Sequence, residues 1–436
     1  MIRTRLLLTL VMVVTIAIPL FAVDKEKVLY NFAPTPYGAE PMASLVFDKA
    51  GNLYGTTNGG GQFECDYMYG CGTVFQLTPQ ANGRWKETVL YTFTGGTDGC
   101  SPSSNLIFDA AGNLYGTTSG YEDGYDGCNN GTVFELLPGA NDAWTFKLLY
   151  GFEDYGATPG GLILDKAGNL YGPTLQGGSD GWGSVFELSP RSDGTWMETV
   201  LYSFDNTDGS FPVGNVIFDQ AGNLYGITAE GGTGNCNNYG CGVVFELSPE
   251  KNGEWTETVL HNFNGVDGAS AATGLTADAN GNLYGATEGG GQTGGCVGFQ
   301  GSCGLVFELS RGANSDWTET VLHNFNGSEG DGDYPEGTLT FDAAGNLYGT
   351  TAFGGAVGGL DCEKYGCGTV FELSPGANGS WTEKVVHIFG TAYATSNGAD
   401  GEFPLAGVIF DKDGNLYGDT ANGGTYGMGT VFEITP

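Results

Sequence analysis

The sequence contains seven copies of one repeat, and this repetition limits the possible folds more than any other feature. The motif G-N-L-Y-G begins at Gly51, Gly112, Gly168, Gly222, Gly281, Gly345 and Gly414. Consecutive copies start 54 to 69 residues apart. The motifs G-x-V-F-E-L and V-L-Y/H-x-F recur with the same period. A unit of this length is one supersecondary element, so the chain consists of seven similar units in a row.

Each repeat predicts four short strands, which we name a to d. Strand a is an apolar run that ends in Asp, b is N-L-Y-G-T-T, c is T-V-F-E-L and d is W-T-E-T-V-L-Y-x-F. The Asp-x-x-Gly-Asn segment between a and b predicts a hairpin turn that the Asp caps and the Gly permits. The Gly of strand b predicts close approach by a neighbouring sheet.

Seven units of four antiparallel strands predict an all-β protein, a seven-bladed β-propeller. The two ends of the chain support a closed ring. Residues 28–32 form a lone strand d near the N-terminus, whereas the C-terminal repeat stops after strand c at residues 431–434. We expect the N-terminal strand d to join the C-terminal a-b-c blade, because this pairing removes two open sheet edges.

Residues 1–22 are predicted to be a secretory signal peptide, with residues 23–436 as one propeller domain. A basic start and an apolar run are typical of such signals, although the segment could also stay in place as an anchor. Ten cysteines agree with a secreted, periplasmic or cell-surface location, and their spacing fits disulfides better than metal thiolates. The predicted pairs are Cys65 with Cys71, Cys100 with Cys128, Cys236 with Cys241, Cys296 with Cys303, and Cys362 with Cys367.

The chain is strongly acidic, and its charge excludes two classes of partner. It has 50 Asp and Glu against 15 Lys and Arg, a formal net charge of −35. This charge repels phosphate backbones and anionic membrane surfaces, so nucleic-acid binding and membrane binding are not expected. Glycine accounts for 78 of the 436 residues, which fits many strands joined by turns.

The repeats resemble the GloVer (Gloeo/Verruco) tandem repeats of a choice-of-anchor family of exported bacterial proteins. The resemblance rests on the seven copies of G-N-L-Y-G and G-x-V-F-E-L and covers essentially the whole chain after residue 22. It implies an exported β-propeller and no defined chemistry.

The b–c and d–a loops share one face of the propeller, and this loop face is the predicted binding surface. The loops vary in length, contain all ten cysteines, and are rich in carboxylates and aromatic rings. Carboxylates accept hydrogen bonds from sugar hydroxyls, and aromatic rings stack on sugar rings; carboxylate clusters also suit Ca²⁺. The candidate ligand-binding residues are Glu64, Asp66, Tyr67, Tyr69, Tyr121, Glu122, Asp123, Tyr125, Asp126, Trp182, Tyr239 and Tyr365.

The d–a loops share the pattern D-G-x-x-P, which provides candidate metal ligands. If the Asp residues surround the mouth of the central channel, they attract a cation; the alternative is that each merely forms a turn. The residues concerned are Asp98, Asp208, Asp267, Asp331 and Asp400.

Several enzyme classes are disfavoured because basic residues are few. His261, His323 and His387 occupy a strand-d position that is Tyr in the other repeats, which predicts a structural role. No His then remains for a Ser-His-Asp triad or a His-ligated metal. A sialidase would need an arginine cluster, whereas the arginines after residue 22 all fall in c–d turns: Arg84, Arg191 and Arg311.

These observations favour a non-catalytic, exported and monomeric propeller that binds a polysaccharide or an extracellular protein through its loop face. A glycoside hydrolase that uses two loop carboxylates is the second hypothesis. A structural component of the cell surface or matrix is the third. No cofactor is expected, and calcium is the one ion that the carboxylate clusters suggest.

Overall fold

A computed structural model describes most of the chain. It covers residues 25–33, 36–63, 65, 70–119, 130–153, 157–236, 238–271, 273–291, 296, 301–312, 316–327, 330–355, 362, 365–390 and 399–435. The segment 1–22 lies outside these residues, so the signal peptide stays a prediction.

Seven four-stranded antiparallel sheets form the blades of a propeller, which confirms the predicted fold. Strand a spans Val46–Phe47, Ile107–Phe108, Ile163–Leu164, Ser210–Phe218, Thr276–Ala277, Gly332–Phe341 and Ile409–Phe410. Strand b spans Leu53–Thr57, Leu114–Thr118, Leu170–Thr174, Leu224–Glu230, Leu283–Thr287, Leu347–Gly354 and Leu416–Thr420. Strand c spans Thr73–Pro79, Thr132–Pro138, Ser184–Pro190, Val243–Pro249, Leu305–Arg311, Thr369–Pro375 and Thr430–Thr435. Strand d spans Trp85–Thr92, Trp144–Gly151, Trp196–Ser203, Trp255–Asn262, Trp317–Asn324, Trp381–Ile388 and, from the N-terminus, Lys25–Asn31.

Three short elements complete the described secondary structure. Gly38–Ala39 pairs with Gly59–Gly60 in a two-stranded extension of blade 1. Single 3-10 turns at Ala140–Asp142 and Ala377–Gly379 occupy two of the c–d connections. Within the described part of the chain, no helix is long and apolar enough to cross a membrane.

The N-terminal strand closes the ring, as predicted. Lys25–Asn31 pairs antiparallel with Thr430–Thr435, so one end of the chain completes the blade that the other end begins. Phe32, which follows this strand, is fully buried and lies 5.1 Å from the ring of Phe75 in blade 1. Blades 7 and 1 are therefore joined by the same contact that joins the other blades.

Each seam between neighbouring blades has its own hydrophobic core, with a Phe–Phe contact at its centre. The Phe after strand d of one blade meets the Phe of strand c in the next, at centroid distances of 5.0 to 5.3 Å. These rings explain why the motifs V-L-Y/H-x-F and G-x-V-F-E-L recur together. The expectation for the strand-b glycine was partly wrong: a methyl group at Gly55 would lie 2.7 Å from Phe75 of the same blade, not against another sheet.

The a–b turn is capped by its Asp in every blade, as predicted. In blade 1, Asp48 accepts hydrogen bonds from the backbone N–H of Ala50 at 2.8 Å and of Asn52 at 2.9 Å. Gly51 has a φ of 86°, a conformation that glycine adopts without strain. The corresponding Asp411 caps its turn in the same way and accepts from Asn415.

Four of the predicted disulfides are confirmed. Their Cα–Cα distances are 5.1 to 5.2 Å, and they join Cys65 to Cys71, Cys236 to Cys241, Cys296 to Cys303, and Cys362 to Cys367. Cys100 is also disulfide-bonded, while its predicted partner Cys128 lies outside the described residues. The four described bridges each close one b–c loop on the loop face.

Candidate functional site

A ring of backbone-strained residues surrounds the mouth of the channel on the loop face. Six non-glycine residues at one repeat position, where the chain enters strand a, have φ between 50° and 63°. Left-handed conformations of this kind cost about 1–3 kcal/mol per residue and cluster at functional sites. We call these six residues the mouth ring: Glu40, Ser101, Phe211, Ser270, Tyr334 and Phe403.

Disulfide loops hold four of the six mouth-ring residues in place. The backbone N–H of Tyr334 donates to the carbonyl of Cys303 in the preceding blade at 3.0 Å, and that of Phe403 donates to Cys367 at 2.9 Å. Ser101 makes the same bond to Cys71. Each of these bonds crosses a seam, so a cross-linked b–c loop of one blade fixes the strained residue of the next.

Below the mouth ring, the central channel is narrow and lined by small residues. A cavity of about 240 Å³ is bounded by the innermost strands, mainly by glycine, serine, asparagine and threonine. None of its lining residues is charged. The channel therefore offers backbone and hydroxyl groups but no carboxylate ligands among the described residues.

A second pocket opens beside the channel, where blades 6, 7 and 1 meet at the mouth. It has a volume of about 330 Å³ and shares Met42 and Leu405 with the channel wall. We call it the mouth pocket; its lining residues are Glu40, Met42, Glu336, Ala352, Phe353, Phe403, Leu405, Ala421 and Asn422.

Glu336 breaks the symmetry of the repeats in this pocket. It is the second residue after the mouth-ring position, where the other blades carry only Met, Ser, Gly, Val, Ala or Leu. Burial, together with the nearby Glu288 carboxylate, raises the pKa of Glu336 to about 8. Burial also raises the pKa of Glu288 to about 7, although a hydrogen bond from Tyr334 acts in the opposite direction.

Two further carboxyls belong to the same region. Burial raises the pKa of Glu40, which lines the pocket from blade 1. Asp419 lies on strand b of blade 7, two residues before Ala421, which lines the pocket. Asp419 is fully buried with neither carboxyl oxygen hydrogen-bonded, and burial raises its pKa well above the usual range. A buried carboxyl without partners is rare and needs an explanation.

Aromatic rings border the mouth pocket on one side. The ring of Phe353 lies 5.4 Å from Phe403, 5.9 Å from Tyr334 and 6.3 Å from Tyr365, with edge-to-face geometry in each case. Phe353 and Phe403 are only partly buried. They give the pocket an apolar wall opposite its carboxyl groups.

The structure describes three of the twelve predicted ligand-binding residues, and these three lie in different places. Tyr365 belongs to the aromatic wall, Trp182 packs against Phe211 at 5.7 Å in blades 3 and 4, and Tyr239 is 60% exposed. The structure thus places Tyr365, but not Trp182 or Tyr239, beside the mouth pocket. The remaining candidates lie outside the described residues and stay predictions: Glu64, Asp66, Tyr67, Tyr69, Tyr121, Glu122, Asp123, Tyr125 and Asp126.

The five Asp residues predicted to bind a cation lie apart from one another, each beside strand d of its own blade. The Tyr91 hydroxyl donates to Asp98 at 2.9 Å, and the Tyr202 hydroxyl donates to Asp208. Asp267, Asp331 and Asp400 each lie 3.4 Å from the Nε2 atom of a His on strand d. None of the five lines the channel or the mouth pocket, and cation binding by them stays a prediction.

Comparison with known proteins identifies the family to which this chain belongs. A model of the Gloeobacter/Verrucomicrobia repeat matches residues 64–299 and 235–436. The chain belongs to this repeat family. The resemblance inferred from the motifs is thereby confirmed, and the repeats of this family build the propeller described above. A search of curated proteins finds no match.

Solved structures share the fold of this repeat-family propeller. Virginiamycin B lyase from Staphylococcus aureus aligns over 95% of this chain and 99% of its own, with a TM-score of 0.52 and 12% identity. A fungal alcohol oxidase of the AA5 family, solved in complex with copper, aligns over 95% of this chain and 76% of its own, with a TM-score of 0.51 and 14% identity. At these identities the likeness concerns the fold alone.

Replacing Glu336 by Gln is expected to stabilise the protein at alkaline pH. A carboxyl with a raised folded-state pKa binds its proton more tightly when folded, so stability falls as pH rises from about 4.5 towards the pKa of about 8. The Gln side chain does not titrate, so this variant does not lose stability in the same way. At pH 9 it should be more stable than the wild type by on the order of 2 kcal/mol, with little difference at pH 5. Thermal unfolding at the two pH values measures the difference.

The control is Glu254→Gln, which removes an exposed carboxylate from a c–d turn on the opposite face. We expect this control substitution to have a small effect on stability that is the same at both pH values. If Glu336→Gln behaves like this control, the Glu336 carboxyl is not held in its neutral form.

Proposed function

We propose that this protein is an exported propeller that binds a neutral saccharide in the mouth pocket. The observation that carries the proposal is the pairing of an aromatic wall with carboxyls of raised pKa in the mouth pocket, where Glu336 departs from the repeat pattern. The disulfides and the repeat family support export, because disulfides persist in oxidising compartments.

The chemistry of the pocket matches that of a sugar. Below its pKa of about 8, Glu336 is a neutral carboxyl that both donates and accepts hydrogen bonds, as a sugar hydroxyl does. The exposed faces of Phe353 and Phe403 can pack on the C–H groups of a sugar ring. The net charge of −35 disfavours uronic acids and other anionic glycans, so a neutral saccharide fits best.

Binding to polysaccharides is the direct test. The purified chain is mixed with insoluble and soluble neutral polysaccharides, with calcium or with a chelator, and is assayed by sedimentation and by affinity electrophoresis. We expect binding that falls at least about tenfold in Glu336→Leu and in Phe353→Ala, because each removes one half of the recognition surface.

Two variants locate the binding surface. Tyr239→Ala removes an exposed aromatic ring of the loop face outside the mouth pocket and should leave affinity unchanged. Glu336→Leu introduces the residue that blade 7 carries at the same position, Leu405, and should fold normally without binding. If Tyr239→Ala abolishes binding while the Glu336 variants retain it, the ligand binds to the loops and the mouth proposal is wrong.

Glycoside hydrolysis is a second candidate, favoured by the Glu288–Glu336 pair. Two interacting carboxyls with pKa values of about 7 and about 8 can be in opposite protonation states between those values, as an acid and a base or nucleophile must be. Release of reducing ends from a bound polysaccharide, lost in both Glu288→Gln and Glu336→Gln, would identify the protein as an enzyme. Binding without release supports the non-catalytic function.

A further inference from the structure

Three consecutive seams of the propeller bring together one His and two carboxylates from different parts of the chain. The His ends strand d of one blade, the Asp follows in the d–a loop, and the Glu lies on strand d of the next blade. The three sets are His261, Asp267 and Glu319; His323, Asp331 and Glu383; and His387, Asp400 and Glu26. We call them the seam triads.

The three triads share one donor set, but only the triad of His323, Asp331 and Glu383 also has the spacing of a metal site. In the seam between blades 5 and 6, one nitrogen and two carboxylate oxygens all lie within 4.8 Å of one another. The His Nε2 atom lies 3.4 Å from an Asp oxygen in all three triads, which is longer than an ordinary N–H···O hydrogen bond. Two ligands of a tetrahedral zinc ion, each about 2.0–2.1 Å from the metal, lie about 3.4 Å apart.

Unpartnered ligand atoms support the same conclusion. The buried Oε1 atom of the Glu has no hydrogen-bond partner in any of the three triads. The Nε2 atoms of His261 and His387 are likewise buried and unpartnered. Buried polar atoms are almost always satisfied, so the unpartnered Glu383 oxygen leaves a place for a further partner beside His323 and Asp331. An unpartnered Oε1 also occurs at Glu87 and Glu257, in seams with Tyr instead of His, so the oxygen alone does not identify a metal site.

The second carboxylate oxygen of the Asp is already fixed in the seam between blades 5 and 6. The backbone N–H of Asn326 donates to Asp331 at 3.0 Å and orients the carboxylate, while the side chain of His323 stays 21% exposed. An ion can therefore reach the triad from solvent, and a water molecule can complete a four-coordinate shell.

We propose that the triad of His323, Asp331 and Glu383 binds a divalent transition-metal ion through one His nitrogen and one oxygen from each carboxylate. Imidazole with carboxylates suits zinc and its neighbours in the first transition row, whereas calcium prefers oxygen ligands alone. The ion joins strand d of one blade to strand d of the next. It therefore cross-links the outer rim of blades 5 and 6.

The other seams contain Tyr in place of His and supply matched variants. The seam between blades 3 and 4 has Tyr202, Asp208 and Glu257. His→Tyr should fold because Tyr occupies the same position in four blades.

Zinc stoichiometry tests the proposal. Protein without a polyhistidine tag is stripped with chelator, dialysed against Zn²⁺ and analysed for bound metal, and Co²⁺ absorption reports the coordination. We expect one equivalent in the wild type, one in each of the controls His261→Tyr and His387→Tyr, and none in His323→Tyr. Zinc binding that survives His323→Tyr, or no stoichiometric zinc in the wild type, would overturn the proposal.

Discussion

A chain that lacks residues 25–33 is expected to lose at least about 5 kcal/mol of stability and to self-associate. The deletion exposes the backbone of Thr430–Thr435, which becomes an open edge strand that can pair with another molecule. It also removes Phe32 and Leu29 from the seam between blades 7 and 1, and the loss of one buried Phe alone costs about 3–5 kcal/mol. Thermal unfolding and light scattering measure the two effects.

A rearranged chain is the control for this deletion. Residues 25–33 are moved to the C-terminus behind a short Gly-Ser linker, so the same strand can pair with Thr430–Thr435 from the other end of the chain. This variant should recover the stability and the monomeric state. If the deleted chain is as stable and as soluble as the full one, ring closure does not depend on the N-terminal strand.

The blade architecture could be predicted because every repeat encodes it locally. The Asp and Gly of each a–b turn, such as Asp48 and Gly51, occupy the positions that hydrogen bonding and positive φ require. Ring closure could also be predicted, since unmatched strands at residues 28–32 and 431–434 leave one pairing that removes both edges. Four disulfides followed from cysteines 5 to 7 residues apart.

The sequence did not predict the mouth pocket, because repeat motifs identify residues that recur, whereas the pocket depends on residues that do not recur. Glu336 stands in a position of small or apolar residues, and Asp419 replaces the Thr that follows G-N-L-Y-G in several repeats. A comparison of the repeats with one another would have detected both. The approach of Glu336 to Glu40 depends on the closed ring, because blades 6, 7 and 1 become neighbours only there.

The seam triads illustrate the same limit for charged residues. The exchange of His for Tyr was visible and predicted a structural role, while nothing in the sequence indicated that the Glu of W-T-E-T meets this His. In the structure, Glu383 faces His323 and Asp331 across a seam, although 60 residues of chain separate it from the His. Spacing within one repeat cannot show which residues of the next blade complete a cluster.

Replacing Gly337 by Ala is expected to destabilise the propeller far more than replacing Gly345 by Ala. Both glycines belong to blade 6 and have positive φ, 78° at Gly337 and 89° at Gly345. A methyl group at Gly345 meets no atom within 4 Å, whereas at Gly337 it lies 2.2 Å from the backbone nitrogen of Gly407 in blade 7. The Gly345 variant should lose only the strain of the left-handed backbone, about 1–2 kcal/mol.

The Gly337 variant adds a clash with backbone that cannot rotate away, so its total loss should reach about 4 kcal/mol or more. Thermal unfolding of both variants measures the effect of the contact between blades. The backbone strain is common to the two variants and cancels in the difference between their stabilities. This contact also concerns function: Gly337 directly follows Glu336, so strand a of blade 7 packs against the backbone that carries the pocket carboxyl. We therefore expect Gly337→Ala to weaken saccharide binding, with Gly345→Ala unchanged. Equal stability of the two variants would mean that blades 6 and 7 do not pack backbone to backbone beneath the mouth pocket.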